Sequence, residues 1–247
     1  MTKTPTKTDS GTAMFAATLD IARLRIDVHC AAPACKDGIR ALLALYARAP
    51  DNCASAAIQF HIQATEAATE LNCNGKHIWR GTDAGEIVAA FEWAFYNRAI
   101  AALYPQFLSL HAATIARHGQ GITIAGVSGA GKSSLCTVGL LSGADYYSDE
   151  YSLLDEQGKI TPFLRPLQWG GCSHPAFPLQ SMRSSGLFGE GSYSFFGRSG
   201  ESITSLLWHP KHVAHKAVDI RLMILPCYTS DMDGIRCEAV PRSQALL

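Results

Sequence analysis

Gly126-Val127-Ser128-Gly129-Ala130-Gly131-Lys132-Ser133 is the stretch on which the reading of the whole chain turns. It matches G-x-x-x-x-G-K-[ST] at every fixed position. Residues 121–125 (GITIA) lead into it as a strand, and a helix from Lys132 to about Ser142, stopped by Gly143, leads out. Each residue type has a physical reason. The glycines let the backbone turn tightly and bring its N–H groups within reach of phosphate oxygens. The helix start aims its positive dipole end at the same anion. Lys132 can reach β- and γ-phosphates, and the Ser133 hydroxyl can ligate Mg²⁺. ATP and Mg²⁺ are therefore the expected cofactors, with Gly126, Ser128, Gly129, Ala130, Gly131, Lys132, Ser133 and Ser134 as the binding set. Accident in a glycine-rich chain is the alternative, at odds of roughly one in a hundred, and the strand–loop–helix context argues against it.

Working outward, residues 107–116 (FLSLHAATIA) read as a strand joined to 121–125 by the hairpin-type turn Arg117-His118-Gly119-Gln120. Residues 145–154 read as a further strand, expected to enter beside the loop strand and carrying Asp149 and Glu150. Phosphoryl chemistry needs carboxylates near the metal and the attacking oxygen. One of the pair could hold Mg²⁺, directly or through water, and the other could accept a hydroxyl proton; a solvated pair at a strand edge is the bland alternative. Arg165, in Leu164-Arg165-Pro166-Leu167, has the planar fork that suits a phosphoryl group, or is a surface arginine before a turn proline.

The N-terminal half carries weaker signals. Residues 1–11 read as a disordered leader, 19–28 as a strand, 37–47 as a helix, 56–62 as a strand and 77–79 as a short strand. Asp83 is placed to cap a long helix to about Leu103, with Ile87, Phe91 and Phe95 on one face. Residues 169–200, rich in Gly, Ser, Pro and Phe, read as either a functional loop or a poorly ordered stretch, and Phe195-Phe196-Gly197-Arg198-Ser199-Gly200 as a candidate substrate cover. His209, His212 and His215 are spaced too irregularly for one helical face, and Pro210 breaks any helix there, so they read as a basic loop and not a zinc site. Residues 218–225 read as a closing strand, and 243–247 as the opening of a further helix.

The 247 residues carry 21 basic and 21 acidic side chains and are 47% hydrophobic. A neutral chain gives no electrostatic reason to expect nucleic acid. Eight scattered cysteines without a C-x-x-C pair, no signal-peptide pattern and no apolar run near 18 residues point to a cytoplasmic protein with reduced thiols and no membrane partner. The expected fold is α/β, a mixed sheet around the phosphate loop with an N-terminal α/β region packed on it. The divisions are 1–11, 12–105 and 106–247.

Leu110-His111-Ala112-Ala113, the loop, Ser148-Asp149-Glu150-Tyr151-Ser152-Leu153-Leu154-Asp155 and Arg165-Pro166 together resemble the catalytic core of the HPr kinase/phosphorylase family, whose fold is similar to the phosphoenolpyruvate carboxykinase core. The likeness spans about residues 107–155. It is nearest the HPr-kinase-related branch that includes lasso peptide tailoring kinases, which phosphorylate a serine of a precursor peptide. The resemblance implies a catalytic histidine at His111, which on its own would read as a strand histidine satisfied by backbone, the metal-binding hydroxyl at Ser133, and a proton acceptor at Glu150; Ser133 and Asp149 are then the expected Mg²⁺ ligands. It implies a peptide or protein acceptor with a serine hydroxyl. A small hydroxylated metabolite as acceptor, or a nucleotide-binding regulator without one, stays open. The chain departs from the family in having Glu150 for Asp, Val127 for Asp inside the loop, and no locatable motif for the reverse reaction. Phosphorolysis and HPr itself are therefore not carried over. The HPr kinases are hexamers; the N-terminal region differs too much for that number to transfer, leaving a homo-oligomer as an open expectation.

Overall fold

Alternating apolar positions build the first layer. In the computed structural model, which describes residues 14–46, 57–169, 174–197, 199–227 and 234–241, β1 (Phe15–Ile21) and β2 (Leu24–Cys30) bury every second side chain, as strands with one face on a core do. Residues 19–28 are thus an antiparallel hairpin and not one strand. Its turn is made by Ala22 at φ 57°, a residue type that sends no turn signal. After α1 (Lys36–Leu42) come β3 (Ile58–Ala64), β4 (Thr69–Cys73) and β5 (Lys76–Gly81). They complete a five-stranded sheet in the order β1-β2-β3-β4-β5. β2 and β3 run parallel and the other neighbours antiparallel.

α2 (Ala84–Leu103) packs across that sheet. Asp83 caps it, accepting the Glu86 N–H at 2.7 Å, which satisfies one of the helix's orphan donors. Ile87, Phe91 and Phe95 are buried, and Phe60 of β3 meets Phe91 edge-on with ring centroids 5.3 Å apart. The same core takes in Phe107, Leu153, Phe163 and Leu207 from the later half of the chain.

The second sheet forms around β6 (Phe107–Leu110), β7 (Ala112–Arg117), β8 (Gln120–Ala125), then α3 (Lys132–Leu141), β9 (Asp145–Ser148), β10 (Ser152–Asp155) and β11 (Lys159–Thr161). α4 (Leu179–Ser184), β12 (Phe188–Phe196), β13 (Ser202–Pro210) and β14 (Val218–Ile224) follow. Its seven strands lie in the order β6-β10-β11-β14-β8-β7-β9, with β14 and β8 parallel. The β7–β8 turn uses His118 at φ 52° and Gly119 at φ 71°, the left-handed pair a two-residue hairpin requires.

Two strands of the sequence reading are each broken in the middle. Residues 107–117 and 145–155 pair as one antiparallel ribbon, Leu110 opposite Ser152 on one side of the break and Thr114 opposite Ser148 on the other, with a register shift at Thr114/Ile115. His111, Asp149 and Glu150 sit at the break. The strand reading failed there because alternation continues through the site while the backbone does not.

Residues 169–200 also differ from expectation, since they contain α4 and β12. β12 and β13 form a separate hairpin, and residues 195–197, 199 and 200 lie at its closing end, where Gly197 N–H donates to the Glu201 carbonyl at 2.8 Å. A Cβ on Gly191 would stand 2.8 Å from Ala41 Cβ, so the glycines that hid this strand are what let it lie against α1. His209 belongs to β13, not to a loop, and its Nε2 stands 2.8 Å from the Ala41 carbonyl oxygen. Among the described residues no cluster of three or more His, Cys, Asp and Glu could hold a metal ion, and no helix is long and apolar enough to cross a membrane. Cys30, Cys35, Cys73, Cys136, Cys227 and Cys237 are free. Residues 1–11 and 243–247, and the ends of the expected elements at Ala47 and Ala56, lie outside the described residues.

At Gly85, in the first turn of α2, an added Cβ would fall 1.7 Å from the Ser194 carbonyl oxygen of β12. Gly85→Ala should gain up to about 1 kcal/mol of helix propensity but lose more to the backbone clash, typically 1–3 kcal/mol or above. A thermal melt should show Tm falling by several degrees, at about 2–4 °C per kcal/mol; a Tm at or above wild type would show that the hairpin does not press on α2.

Candidate active site

β8 and β14 run parallel and both end at the glycine loop. Gly126 is tightly placed there: a Cβ on it would meet Ala130 Cβ at 3.3 Å and Pro226 Cδ at 3.6 Å. Gly129 and Gly131 hold φ of 81° and 97°, left-handed values that any side chain would strain. Gly131 is the N-cap of α3. No side chain caps the helix and no acidic residue lies in its first turn, so the positive end of α3 is left for a ligand. Lys132, 8% exposed, bends over the loop and donates from Nζ to the Gly126 and Val127 carbonyls at 2.9 and 3.1 Å. Val127, Ser128 and Gly129 are exposed at the rim.

Asp149 faces this helix end from the ribbon break. It is 1% exposed. The Ser133 hydroxyl donates to its Oδ2 at 3.0 Å, while Oδ1 is buried without a partner. Burial raises its pKa to about 6; Ser133 and Arg165 pull the other way and Glu150 adds to the rise. A hydroxyl beside a carboxylate with one free oxygen, in front of an uncapped helix, is the hard-oxygen donor set that suits Mg²⁺. One sequence expectation is corrected. β9 pairs with β7 and not with the loop strand β8, so Asp149 reaches the loop from one strand further away.

Glu150 points to the open side, 34% exposed, and is held at both oxygens. His111 Nε2 lies 2.9 Å from Oε1 and Arg165 Nη1 donates to Oε2 at 3.4 Å. Arg165 is itself anchored on Glu92 of α2, through Nε at 3.2 Å and Nη2 at 3.0 Å. Burial works against its charge, but Glu92, Tyr96 and Glu150 outweigh that, and its pKa lies above the ordinary arginine value. Its guanidinium is matched by two carboxylates, Glu92 and Glu150, and holds Glu150 as a clamp. Glu92, 7% exposed, also accepts from Gln168 Nε2 at 2.8 Å and Tyr193 Oη at 2.7 Å. Beneath the break, Thr114 Oγ1 lies 2.7 Å from Ser152 Oγ and 3.2 Å from Thr123 Oγ1, and Ser152 donates to the Ala112 carbonyl at 3.0 Å.

All the loop residues, His111, Asp149, Glu150 and Arg165 therefore converge at one end of the second sheet. The sequence reading missed Glu92, Tyr193, the buried hydroxyls and His174, whose ring lies 3.0 Å from Ser134 Oγ. Glu92 did leave a signal, a carboxylate spaced four residues from buried Val88 and Tyr96 on the apolar side of α2. No protein-family model matches the chain, and no curated protein matches it either.

The raised pKa of Asp149 has a consequence for stability. Between about pH 4, where an unfolded aspartate releases its proton, and about pH 6, the native state retains that proton. Stability from this group therefore falls as pH rises through that window, and its cost is complete above it. Asp149→Asn should raise Tm at pH 7.5 by roughly 6–12 °C, corresponding to about 3 kcal/mol, with the gain fading toward pH 4. A variant less stable than wild type at pH 7.5 would contradict the uncompensated burial.

Proposed function

We propose that the chain is an ATP-dependent kinase, built on a P-loop core of the HPr kinase and phosphoenolpyruvate carboxykinase type, that phosphorylates a serine hydroxyl of a peptide or protein. The observation that carries this is the contact of Ser133 with buried Asp149 at the uncapped start of α3, one carboxylate oxygen left without a partner. A purely structural carboxylate has no reason to stay half-satisfied there.

The ATP phosphates rest on the amides of residues 129–133, and Lys132 exchanges its loop carbonyls for the β- and γ-oxygens. Ser133 and Asp149 would hold Mg²⁺, which would supply charge neutralisation for the phosphates. The acceptor oxygen forms its bond to the γ-phosphorus as the bond from that phosphorus to the bridging oxygen breaks, and ADP leaves with the electron pair. Glu150 takes the hydroxyl proton. His111 and Arg165 fix its two oxygens, so the base meets the acceptor in one orientation. A serine on a peptide as acceptor rests on the resemblance around residues 107–155.

Glu150→Gln should lower transfer by about 10²–10⁴-fold and leave Mg²⁺·AMP-PNP affinity within about twofold of wild type, since the change is nearly isosteric. Intact-mass analysis of serine peptides incubated with enzyme and ATP should show the gain of one phosphate. Full turnover by Glu150→Gln would remove it as the base. A phosphorylated small hydroxyl compound with no peptide product would make the protein a metabolite kinase, and ATP binding with no phosphorylated product would make it a regulator.

A further inference from the structure

Ser134 follows the metal-side hydroxyl of Ser133 by one residue, a step further into α3, and its side chain is engaged from a distant part of the chain. His174 Nε2 lies 3.0 Å from Ser134 Oγ, and the Ala176 N–H donates to His174 Nδ1 at 3.1 Å. A ring nitrogen that accepts carries no proton, so the ring's proton is on Nε2 and is donated to the Ser134 oxygen. The serine's own proton is then directed away from the histidine. The neighbouring hydroxyls of α3 are committed elsewhere, Ser133 to Asp149 and Thr137 to the Ser133 carbonyl at 2.7 Å.

The histidine is held rather than draped over the helix. Its backbone and that of Phe177 close a tight bridge, with the Phe177 N–H donating to the His174 carbonyl at 2.9 Å. Its ring packs on Phe177 and Trp169 at centroid distances of 4.8 and 5.6 Å. Trp169 and Phe177 stack on each other at 5.5 Å and 17°. A ring locked by aromatic neighbours and tautomer-fixed by a backbone amide can orient a hydroxyl, which a free histidine cannot do without an entropic cost.

We infer that His174 is a positioning residue for the α-phosphate of the bound nucleotide: it holds Ser134 so that the serine hydroxyl donates to an α-phosphate oxygen. The placement follows from the loop, whose amides cradle the α- and β-phosphates while Lys132 and Ser133 serve the β- and γ-side; Ser134, one residue beyond, lies on the α-side. The inference rests on the proposed reading of the phosphate loop. It goes beyond that reading in making His174, 40 residues away in sequence, the residue that orients this serine, which ATP and ADP use equally.

Calorimetric titration of wild type, His174→Ala, His174→Gln, Ser134→Ala and the double variant with ADP and with AMP-PNP tests it. His174→Ala should weaken both nucleotides by the same factor, about 3- to 10-fold for one lost hydrogen bond. His174→Gln, whose amide can still donate to Ser134, should recover most of the loss. The double variant should bind no more weakly than Ser134→Ala, because the histidine acts only through the serine. Unchanged affinity in His174→Ala, losses that add in the double variant, or a loss for AMP-PNP alone would each overturn the inference while leaving the loop reading intact. Wild type that binds neither nucleotide would overturn both. Should His174→Ala fail to fold, Ser134→Ala decides: wild-type affinity there overturns the inference.

Discussion

Asp149 is a carboxylate that the fold buries almost completely and satisfies by half, with Ser133 on one oxygen and nothing on the other. Removing a carboxylate from water costs several kcal/mol unless partners restore what the water gave. The rest of the site follows from that imbalance. The ribbon breaks where it must deliver the side chain, the loop glycines bend where a Cβ would strain, and α3 begins without a cap. Together they set an unpartnered carboxylate oxygen against the positive end of a helix. Local cost concentrated at one point is how folds keep binding energy in reserve for a ligand.

The second carboxylate is treated in the opposite way. Glu150 is half-open and its two oxygens are fixed by His111 and Arg165. Because Arg165 is anchored on Glu92, and Glu92 also receives Tyr193 of β12 and Gln168, the orientation of Glu150 depends on α2 and on the β12–β13 hairpin. The N-terminal layer is therefore not a passive neighbour. Its helix supplies the buried charge that balances the clamp. The hydroxyl ladder of Thr114, Thr123 and Ser152 plays the corresponding role under the ribbon, pairing polar groups where the strands diverge and backbone pairing lapses.

Much of this was legible in the sequence, and the failures have physical causes. The glycine loop, the capped helix after Asp83 and the His118–Gly119 turn could be read because each depends on local chemistry. The Ala22 turn could not, since alanine at positive φ is chosen by its surroundings. β4 was overlooked although Asn74-Gly75, at φ 49° and 73°, carries a strong hairpin signal. β12 was hidden by glycines and serines whose purpose, close approach to α1 and α2, exists only in three dimensions. At the site, spacing indicated Ser133, Asp149 and Glu150. It could not indicate His174, or what Glu92 on the apolar side of α2 would pair with, since these join through contacts spanning 40 and 73 residues of sequence.

The proposed nucleotide site places its metal between Ser133 and Asp149. Titration of wild type and Asp149→Asn with AMP-PNP, with and without Mg²⁺ at pH 7.5, tests it most directly. Wild type should bind more tightly with Mg²⁺ than without, and Asp149→Asn should lose that metal-dependent gain while still binding the metal-free nucleotide. Equal Mg²⁺ enhancement in both proteins, or no binding to wild type under either condition, would contradict it.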